Sequence, residues 1–293
     1  FYNKFASGME RYLPWVNNGE GEVLPLWVKP DKPLSVDDMK WMMRDHFENT
    51  PFDMTVDIGA GPYKVPYRAR PMEFEVDGAR YVHERAIATQ QTGFSLVAQM
   101  NRNYPEAMKG ILWFGCDDAN TCVYVPVFCS LTRIPHGFQP GNGDLYNISW
   151  DSSFWINNFV ANQAYYRYSQ MIPDIRKVQG SIEDRLAADT DSLRTSIASL
   201  PTQQAAEILN DYTIAATDRY IREYRNLGEY LLVTYLDFNV KKEDKDGRFS
   251  RTPDGMPATP DSPFYVDPRS ITRLVDAPGD MRRLHDIKPT DPT

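Results

Sequence analysis

Three arginines lie in a short stretch of the chain that also carries prolines and a glycine. Arg68 and Arg70 stand in the loop PYRARP, and Arg85 opens a strand-like run that continues through polar residues to Gly93. A glycine at the end of a strand lets a ligand approach the backbone closely. Because a guanidinium group pairs with a carboxylate through two parallel hydrogen bonds, these arginines could hold the carboxylate of a substrate.

The alternative for the same arginines is structural ion pairing, for example of Arg85 with Glu84 or Asp53. Motifs for other chemistry are missing: the sequence contains no glycine-rich phosphate loop, no HExxH, no GxSxG and no paired CxxC. The four histidines are scattered along the sequence, which argues against a histidine-based metal site. We therefore expect no metal ion and no other cofactor.

Two of the three cysteines stand on either side of a predicted turn. The runs GILWFGC and CVYVPVFC are rich in β-branched and aromatic residues and are joined by DDANT, which predicts a β-hairpin. Cys116 and Cys122 would face each other across this hairpin and could form a disulfide. The alternative is that both are small apolar core residues with free thiols. Cys129 would be unpaired in either case.

Alternating and apolar runs predict an antiparallel sheet between residues 72 and 129. The expected strands are 72–76, 81–89, 94–100, 110–116 and 122–129, joined by short turns. Several of these runs are apolar on both faces, so we expect the sheet to be covered on both faces by layers of helix. Ahead of the sheet, Ser35 and Asp38 form a capping-box pattern that predicts the start of a helix.

The chain becomes helical after Trp150. Residues 154–171 and 203–236 have helical periodicity, Pro173 is expected to kink or restart the first helix, and the polar segment 185–200 is expected to connect the two. An antiparallel helical hairpin packed on the sheet follows from this pattern. The expected division is thus a sheet-bearing part at 1–150, a hairpin at 151–238 and an extended Pro-rich tail at 239–293.

Composition excludes several classes of protein. The 293 residues include 32 Lys and Arg and 40 Asp and Glu, which gives a net charge of −8, and 42% of the residues are hydrophobic. A negative balance argues against a general nucleic-acid binder, and the apolar content is enough for a packed core. No stretch approaches the length of a membrane span. The sequence begins with Phe1 and not Met, and we expect it to be a piece of a longer protein.

Five strings in the same order resemble one enzyme family. They are LPLWVKPDKPLSVDDM, MRDHFENTPFDMT, GAGPYKVPYRARP, ERAIATQQTGFSLVAQM and ILWFGCDDANTCVYVPVF. The chain resembles the cysteine dipeptidases of the N-terminal-nucleophile hydrolases, of the dipeptidase A and secernin type, which are distantly related to penicillin V acylase. The likeness runs from about Leu24 into the helices beyond Trp150 and implies the C-terminal portion of such an enzyme.

The resemblance implies an α+β fold, an αββα sandwich, in which an N-terminal cysteine attacks the peptide carbonyl and its own α-amine acts as the base. All three cysteines here are internal, so the nucleophile is expected in a segment upstream. Arg85 resembles the active-site arginine of the family, which lowers the pKa of the nucleophilic thiol. Asp53, Arg68 and Arg70 are expected to line the site or to bind an end of the dipeptide.

The partners implied are a dipeptide or short-peptide substrate, the upstream segment with the nucleophile, and a further copy of the chain as an option. By itself the chain is expected to leave one face of its sheet uncovered. The alternative function is a non-enzymatic interaction module that has kept the fold without a nucleophile. We expect an extracytoplasmic location, periplasmic or secreted, because a Cys116–Cys122 bridge would need an oxidising compartment; the alternative is a cytoplasmic location.

Overall fold

The computed structural model describes residues 2–83 and 85–260. Five α-helices and five β-strands make up this part, together with short 3-10 helices. The helices are α1 (Tyr2–Phe5), α2 (Leu13–Asn18), α3 (Val36–Met43), α4 (Ser153–Ser196) and α5 (Thr202–Thr234), and the strands are β1 (Glu73–Val76), β2 (Ala79–Val82), β3 (Phe94–Met100), β4 (Gly110–Cys116) and β5 (Val125–Phe128). This is an α+β fold with small antiparallel sheets and long helices.

The strands form two antiparallel sheets, where the sequence predicted one. β1 pairs with β2, and β3, β4 and β5 form a separate sheet in that order. The bounds of β3 and β4 agree with the prediction, and their register pairs Phe94 with Cys116 and Met100 with Gly110. The predicted strand 81–89 ends at Val82, because β1 begins at Glu73 and gives it no further partner.

The helical hairpin is confirmed, but its first arm is longer than expected. The segment 185–200, predicted as a connection, is helical as far as Ser196, and only 197–201 join α4 to α5. The polar residues of this stretch occupy the outer side of the helix, while Leu186 and Thr190 are buried. Because only one narrow side of this part of α4 is covered, most of its residues are polar, and a polar sequence of this kind is typical of a loop.

The interruption of α4 lies at Arg167 and not at Pro173. Arg167 has non-helical backbone angles, φ −145° and ψ 49°, whereas Pro173 stands inside the helix. Two residues later, the N–H of Ser169 donates to the carbonyl of Tyr63, outside the helix, at 2.9 Å. The buried Arg167 guanidinium donates to the carbonyls of Tyr235 and Asn239 at 3.2 Å each, just beyond α5.

One hydrophobic core joins the three-stranded sheet to the hairpin. It contains Val97, Ile111 and Trp113 from one face of the sheet and buried side chains of both long helices. The other face is different: Phe94 is 62% exposed, Leu96 43% and Met100 83%. The expectation of two covered faces is therefore not met by the described residues, while the expectation of an uncovered apolar face in this chain is confirmed.

Helix α3 begins as predicted. The Ser35 hydroxyl accepts from the N–H of Asp38 at 3.0 Å, and the Asp38 carboxylate accepts from the N–H of Ser35 at 2.9 Å. Of the predicted tail, residues 239–260 are described and contain two isolated β-bridges, and Phe249 stacks on Tyr230. The remaining residues 261–293 lie outside the described part. None of the described helices is long and apolar enough to cross a membrane.

All three cysteines are free thiols in the structure, so the Cys116–Cys122 bridge is not formed. β5 begins only at Val125, and Cys122 lies in the preceding turn. The Sγ of Cys122 lies under Gly115 and 4.0 Å from the Oγ of Ser95. Because successive residues of a strand point to opposite faces, Cys116 lies on the other side of the sheet from this thiol.

Candidate functional site

Strand β4 ends in a turn of buried polar residues. Asp117 has φ 68°, a left-handed conformation that Asp tolerates better than most residues. Its N–H donates to the carbonyl of Gly93 at 2.8 Å, which ties the end of β4 to the start of β3. The carbonyl of Asp118 then accepts from the N–H groups of Thr121 and Cys122, at 3.1 and 2.9 Å. The turn therefore holds two consecutive carboxyl groups inside the protein.

The Asp118 carboxyl is the centre of a buried hydrogen-bond network. It accepts from the Tyr67 hydroxyl and, at 3.0 Å, from the N–H of Asn120. The Asn120 amide in turn donates to the hydroxyls of Tyr67 and Tyr168, at 2.9 and 3.0 Å. Arg176 of α4 donates to the Asn120 carbonyl at 2.5 Å and to its side-chain oxygen, which fixes the orientation of the amide.

The Asp117 carboxyl lies beside this network and is less well satisfied. Burial and the neighbouring Asp118 charge raise the pKa of Asp117 to about 8, although hydrogen bonds from Asp118 and Asn158 oppose the rise. Its Oδ2 atom has no hydrogen-bond partner among the described residues. A buried carboxyl group that holds its proton near neutral pH can donate a hydrogen bond or transfer a proton, as general acids do.

His46 approaches the same network from the segment after α3. The ring is fully buried and meets the Tyr67 ring edge-on, with 5.5 Å between ring centres. Its Nδ1 lies 3.2 Å from Oε1 of Glu48, and its Nε2 has no partner among the described residues. Burial opposes ionisation of Glu48, but the hydrogen bonds from His46 outweigh it and lower the pKa of Glu48 to about 2.

A second charged cluster joins α3 to α4 and to the same turn. Glu183 forms two hydrogen bonds with the Arg44 guanidinium, at 2.7 and 3.2 Å, and accepts from the N–H of Tyr124 at 2.8 Å. Arg44 also donates to the carbonyl of Cys122 at 3.1 Å. The buried ammonium of Lys40 lies 3.8 Å from Glu183. These ion pairs border a cleft of about 550 Å³ between the two helices.

Of the four residues that the sequence pointed to, Arg68 is the most constrained. Its side chain is buried and donates to Asp57 at 2.6 Å and to the carbonyls of Met54, Val65 and Tyr67 at 3.0–3.1 Å. These contacts are those of the structural ion-pair alternative. These four hydrogen bonds use all four N–H groups of the two terminal nitrogens of Arg68, so none of these groups is left to bind a ligand.

The other three predicted residues lie nearer the surface. The Asp53 carboxylate accepts from the N–H groups of Asn49 and Thr55, at 2.9 and 2.8 Å, and so stabilises its own loop. Arg70 is exposed. Arg85 is also exposed and lies at a small depression that Arg68 and Tyr67 also border. Their assignment as substrate-binding or catalytic residues stays a prediction.

The sequence reasoning missed Asp117, Asp118 and Asn120 as candidates because it treated DDANT as solvent-exposed turn formers. In the structure Asp118 and Asn120 are fully buried. A signal was present, since two neighbouring acidic residues stand between the two most apolar strands of the chain. A turn of that kind often lies at the surface, so burial could only be seen in the folded structure.

Comparison with known proteins places these residues in a family. The profile of peptidase family C69 matches residues 2–181, more than half of the chain. A probable dipeptidase of Latilactobacillus sakei is 25% identical over 68% of this chain and 39% of its own length. A dipeptidase of Bifidobacterium longum is 21% identical over 63% and 31%, and dipeptidase A of Lactobacillus helveticus is 22% identical over 55% and 28%. The chain thus spans less than two fifths of the length of these relatives, and it belongs to peptidase family C69.

Proposed function

We propose that this chain is the C-terminal portion of a cysteine dipeptidase that hydrolyses short peptides. The match to peptidase family C69 over residues 2–181 carries this proposal, and the dipeptidases among its relatives support it. Because the matched relatives are much longer than the chain, the activity is assigned to the whole protein and not to these residues alone.

The nucleophile is a thiol outside this chain in our proposal. Cys122 is buried beside acidic groups and its pKa is raised, and burial raises the pKa of Cys116 to about 11, so both are poor nucleophiles at neutral pH. None of the three cysteines is N-terminal in this sequence, so none carries a free α-amine. In the proposed reaction an N-terminal cysteine sulfur attacks the peptide carbonyl, its α-amine passes the thiol proton to the leaving amine, and water then hydrolyses the thioester.

Two features of this chain would support that chemistry. The exposed guanidinium of Arg85 would stabilise the thiolate by its positive charge. The turn at the end of β4 would form a wall of the site, where Asp117 in its protonated state could donate a hydrogen bond. Both lie in the family-matched part of the chain, and each has Tyr67 in its surroundings: Arg85 lines a depression with it, and Asp118, next to Asp117, accepts its hydroxyl hydrogen bond.

The open sheet face supports the proposed sandwich fold. Phe94, Leu96 and Met100 form an apolar row on edge strand β3, and such a row costs free energy when it faces water. In an αββα sandwich a second sheet packs about 10 Å from the first and covers this row. We propose that the segment carrying the nucleophile contributes that second sheet.

The test is hydrolysis of a dipeptide panel by the complete gene product, measured as the release of free amino acids. We expect activity that withstands EDTA and is lost on alkylation of the N-terminal thiol. The matched control is the same protein with its N-terminal cysteine replaced by alanine, which should be folded and inactive. Activity that is abolished by EDTA and restored by a divalent cation, or that is indifferent to the alanine replacement, would contradict the proposed mechanism.

A further inference from the structure

A cavity of about 410 Å³ lies at the end of β4, on the side of the sheet opposite Cys122. Cys116 borders it from the strand, and the first turn of α4 borders it from below with Phe154 and Trp155. The loop between the strand region and α4 closes the remaining side. The loop residues at its wall are 137–145.

The loop that encloses the cavity is fixed by its own hydrogen bonds. The Trp155 indole N–H donates to the carbonyl of Asp144 at 3.0 Å. The Asn142 side chain donates to the carbonyls of His136 and Asp151, at 3.0 and 3.1 Å. A Cβ on Gly143 would lie 2.9 Å from the carbonyl oxygen of Asn147, and its φ of 81° also favours glycine. The cavity is therefore part of the fold and not a gap between loose segments.

The walls offer mainly apolar contacts. Phe138, Phe154 and Trp155 contribute aromatic rings, and Leu145 stands at the rim, 77% exposed. The Asp144 carboxylate is the one acidic side chain among the lining residues, and it already accepts from the N–H groups of Tyr146 and Asn147, at 2.7 and 2.8 Å. A cavity with this lining favours an apolar or aromatic group over a charged one.

The cavity and the candidate site share the end of strand β4. Cys116 precedes Asp117 directly, and Asn158, which bonds the Asp117 carboxyl, lies one helical turn after Phe154. The Asn158 amide also donates to the Phe154 carbonyl at 3.3 Å. A peptide bound at the end of β4 would thus be able to place one side chain in the cavity.

We propose that this cavity is the subsite for one apolar or aromatic side chain of the peptide substrate. The inference rests on the proposed peptidase function and adds a substrate class to it. Its volume is sufficient for a leucine or phenylalanine side chain, while glycine and alanine would leave it largely empty. The structure does not favour glutamate there, because the described lining residues include no Lys, Arg or His to pair with its charge and do include the Asp144 carboxylate.

The test compares kcat/KM for dipeptides with Phe, Leu, Ala or Gly at either position, using the complete protein. Cys116→Met fills the cavity from the strand side, and we expect about a tenfold or larger loss for the Phe and Leu substrates, with Ala and Gly substrates nearly unchanged. Leu145→Ala shortens the exposed rim without touching the core, and it should raise KM for the same substrates only. The controls are Cys129→Met and Leu26→Ala, which make the same changes at exposed positions outside the cavity.

Three outcomes separate the two proposals. Selective loss with bulky apolar substrates in both cavity variants supports the subsite. A uniform loss across the panel or an unchanged preference in Leu145→Ala, whose folding is not at risk, overturns the subsite while the dipeptidase function stands. A native protein that hydrolyses none of the dipeptides refutes the proposed function, and the subsite with it.

Discussion

Replacement of Asp117 by asparagine tests the buried carboxyl at the end of β4. The pKa of Asp117 is raised to about 8 from an ordinary 3.8, so the folded protein keeps a proton that the unfolded chain releases across that interval. Stability therefore falls as pH rises from about 4 to 8, with a limiting slope of about 1.4 kcal/mol per pH unit. Asn cannot ionise and tolerates φ 68°, so Asp117→Asn should remove this slope without straining the backbone.

The measurement is the free energy of unfolding in urea at several pH values between 5 and 7.5. Between pH 5 and 7 the free energy of unfolding of the native protein should fall by about 3 kcal/mol relative to that of Asp117→Asn. This is the largest change that the ionisation of one group can produce over about two pH units. The matched control is Asp77→Asn, since Asp77 also has a positive φ, 50°, but lies exposed in the β1–β2 turn. Parallel pH profiles for native protein and Asp117→Asn would show that Asp117 ionises normally and would refute the reasoning.

Three further substitutions test other parts of the structure. Arg85→Ala should lower kcat/KM for dipeptides sharply while the melting temperature stays within about 1 °C, because surface changes rarely alter stability; unchanged kcat/KM would remove Arg85 from the site. Glu183→Gln should lower the free energy of unfolding in urea by about 3 kcal/mol, since it leaves buried cations uncompensated. Its control, Glu229→Gln in an exposed helical ion pair, should lower it by less than about 0.5 kcal/mol, and equal losses would contradict this. Gly137→Ala should lower the melting temperature because its Cβ would clash with a methyl group of Ile221 in α5, and Gly180→Ala, with open space around it in α4, should raise it. A Gly137→Ala protein with an unchanged melting temperature would show that the contact relaxes freely.

Local patterns predicted β3, β4 and the start of α3 well, and each for a physical reason. Strand β3 follows Gly93, β4 begins at Gly110, and both are seven-residue runs rich in apolar residues that turn-forming residues bound. The Ser35–Asp38 box satisfies N–H groups that every helix start leaves free, so its sequence signature is direct. The helical hairpin follows from such local signals, whereas the α+β fold class is what the family resemblance implies.

The remainder depended on tertiary contacts that a single sequence does not display. The segment 185–196 is helical because a few side chains pack on α5, although most of it is polar. Asp118 and Asn120 are buried because Tyr67, Tyr168 and Arg176, which are 48 to 56 residues away in sequence, supply their hydrogen bonds. The family resemblance agrees with the match to peptidase family C69, but only the structure brought these distant residues together around one turn.

The anchoring of Arg167 has a mechanical consequence for the two long helices. Its guanidinium, set at the bend of α4, bonds the backbone just past the end of α5 and lies within 5.5 Å of the rings of Tyr63 and Tyr235. Pulling the helix ends apart would remove the two carbonyl acceptors and leave the buried cation with Gln170 of its own helix, which is energetically costly. The bend of α4 and the end of α5 should therefore stay joined when either helix moves.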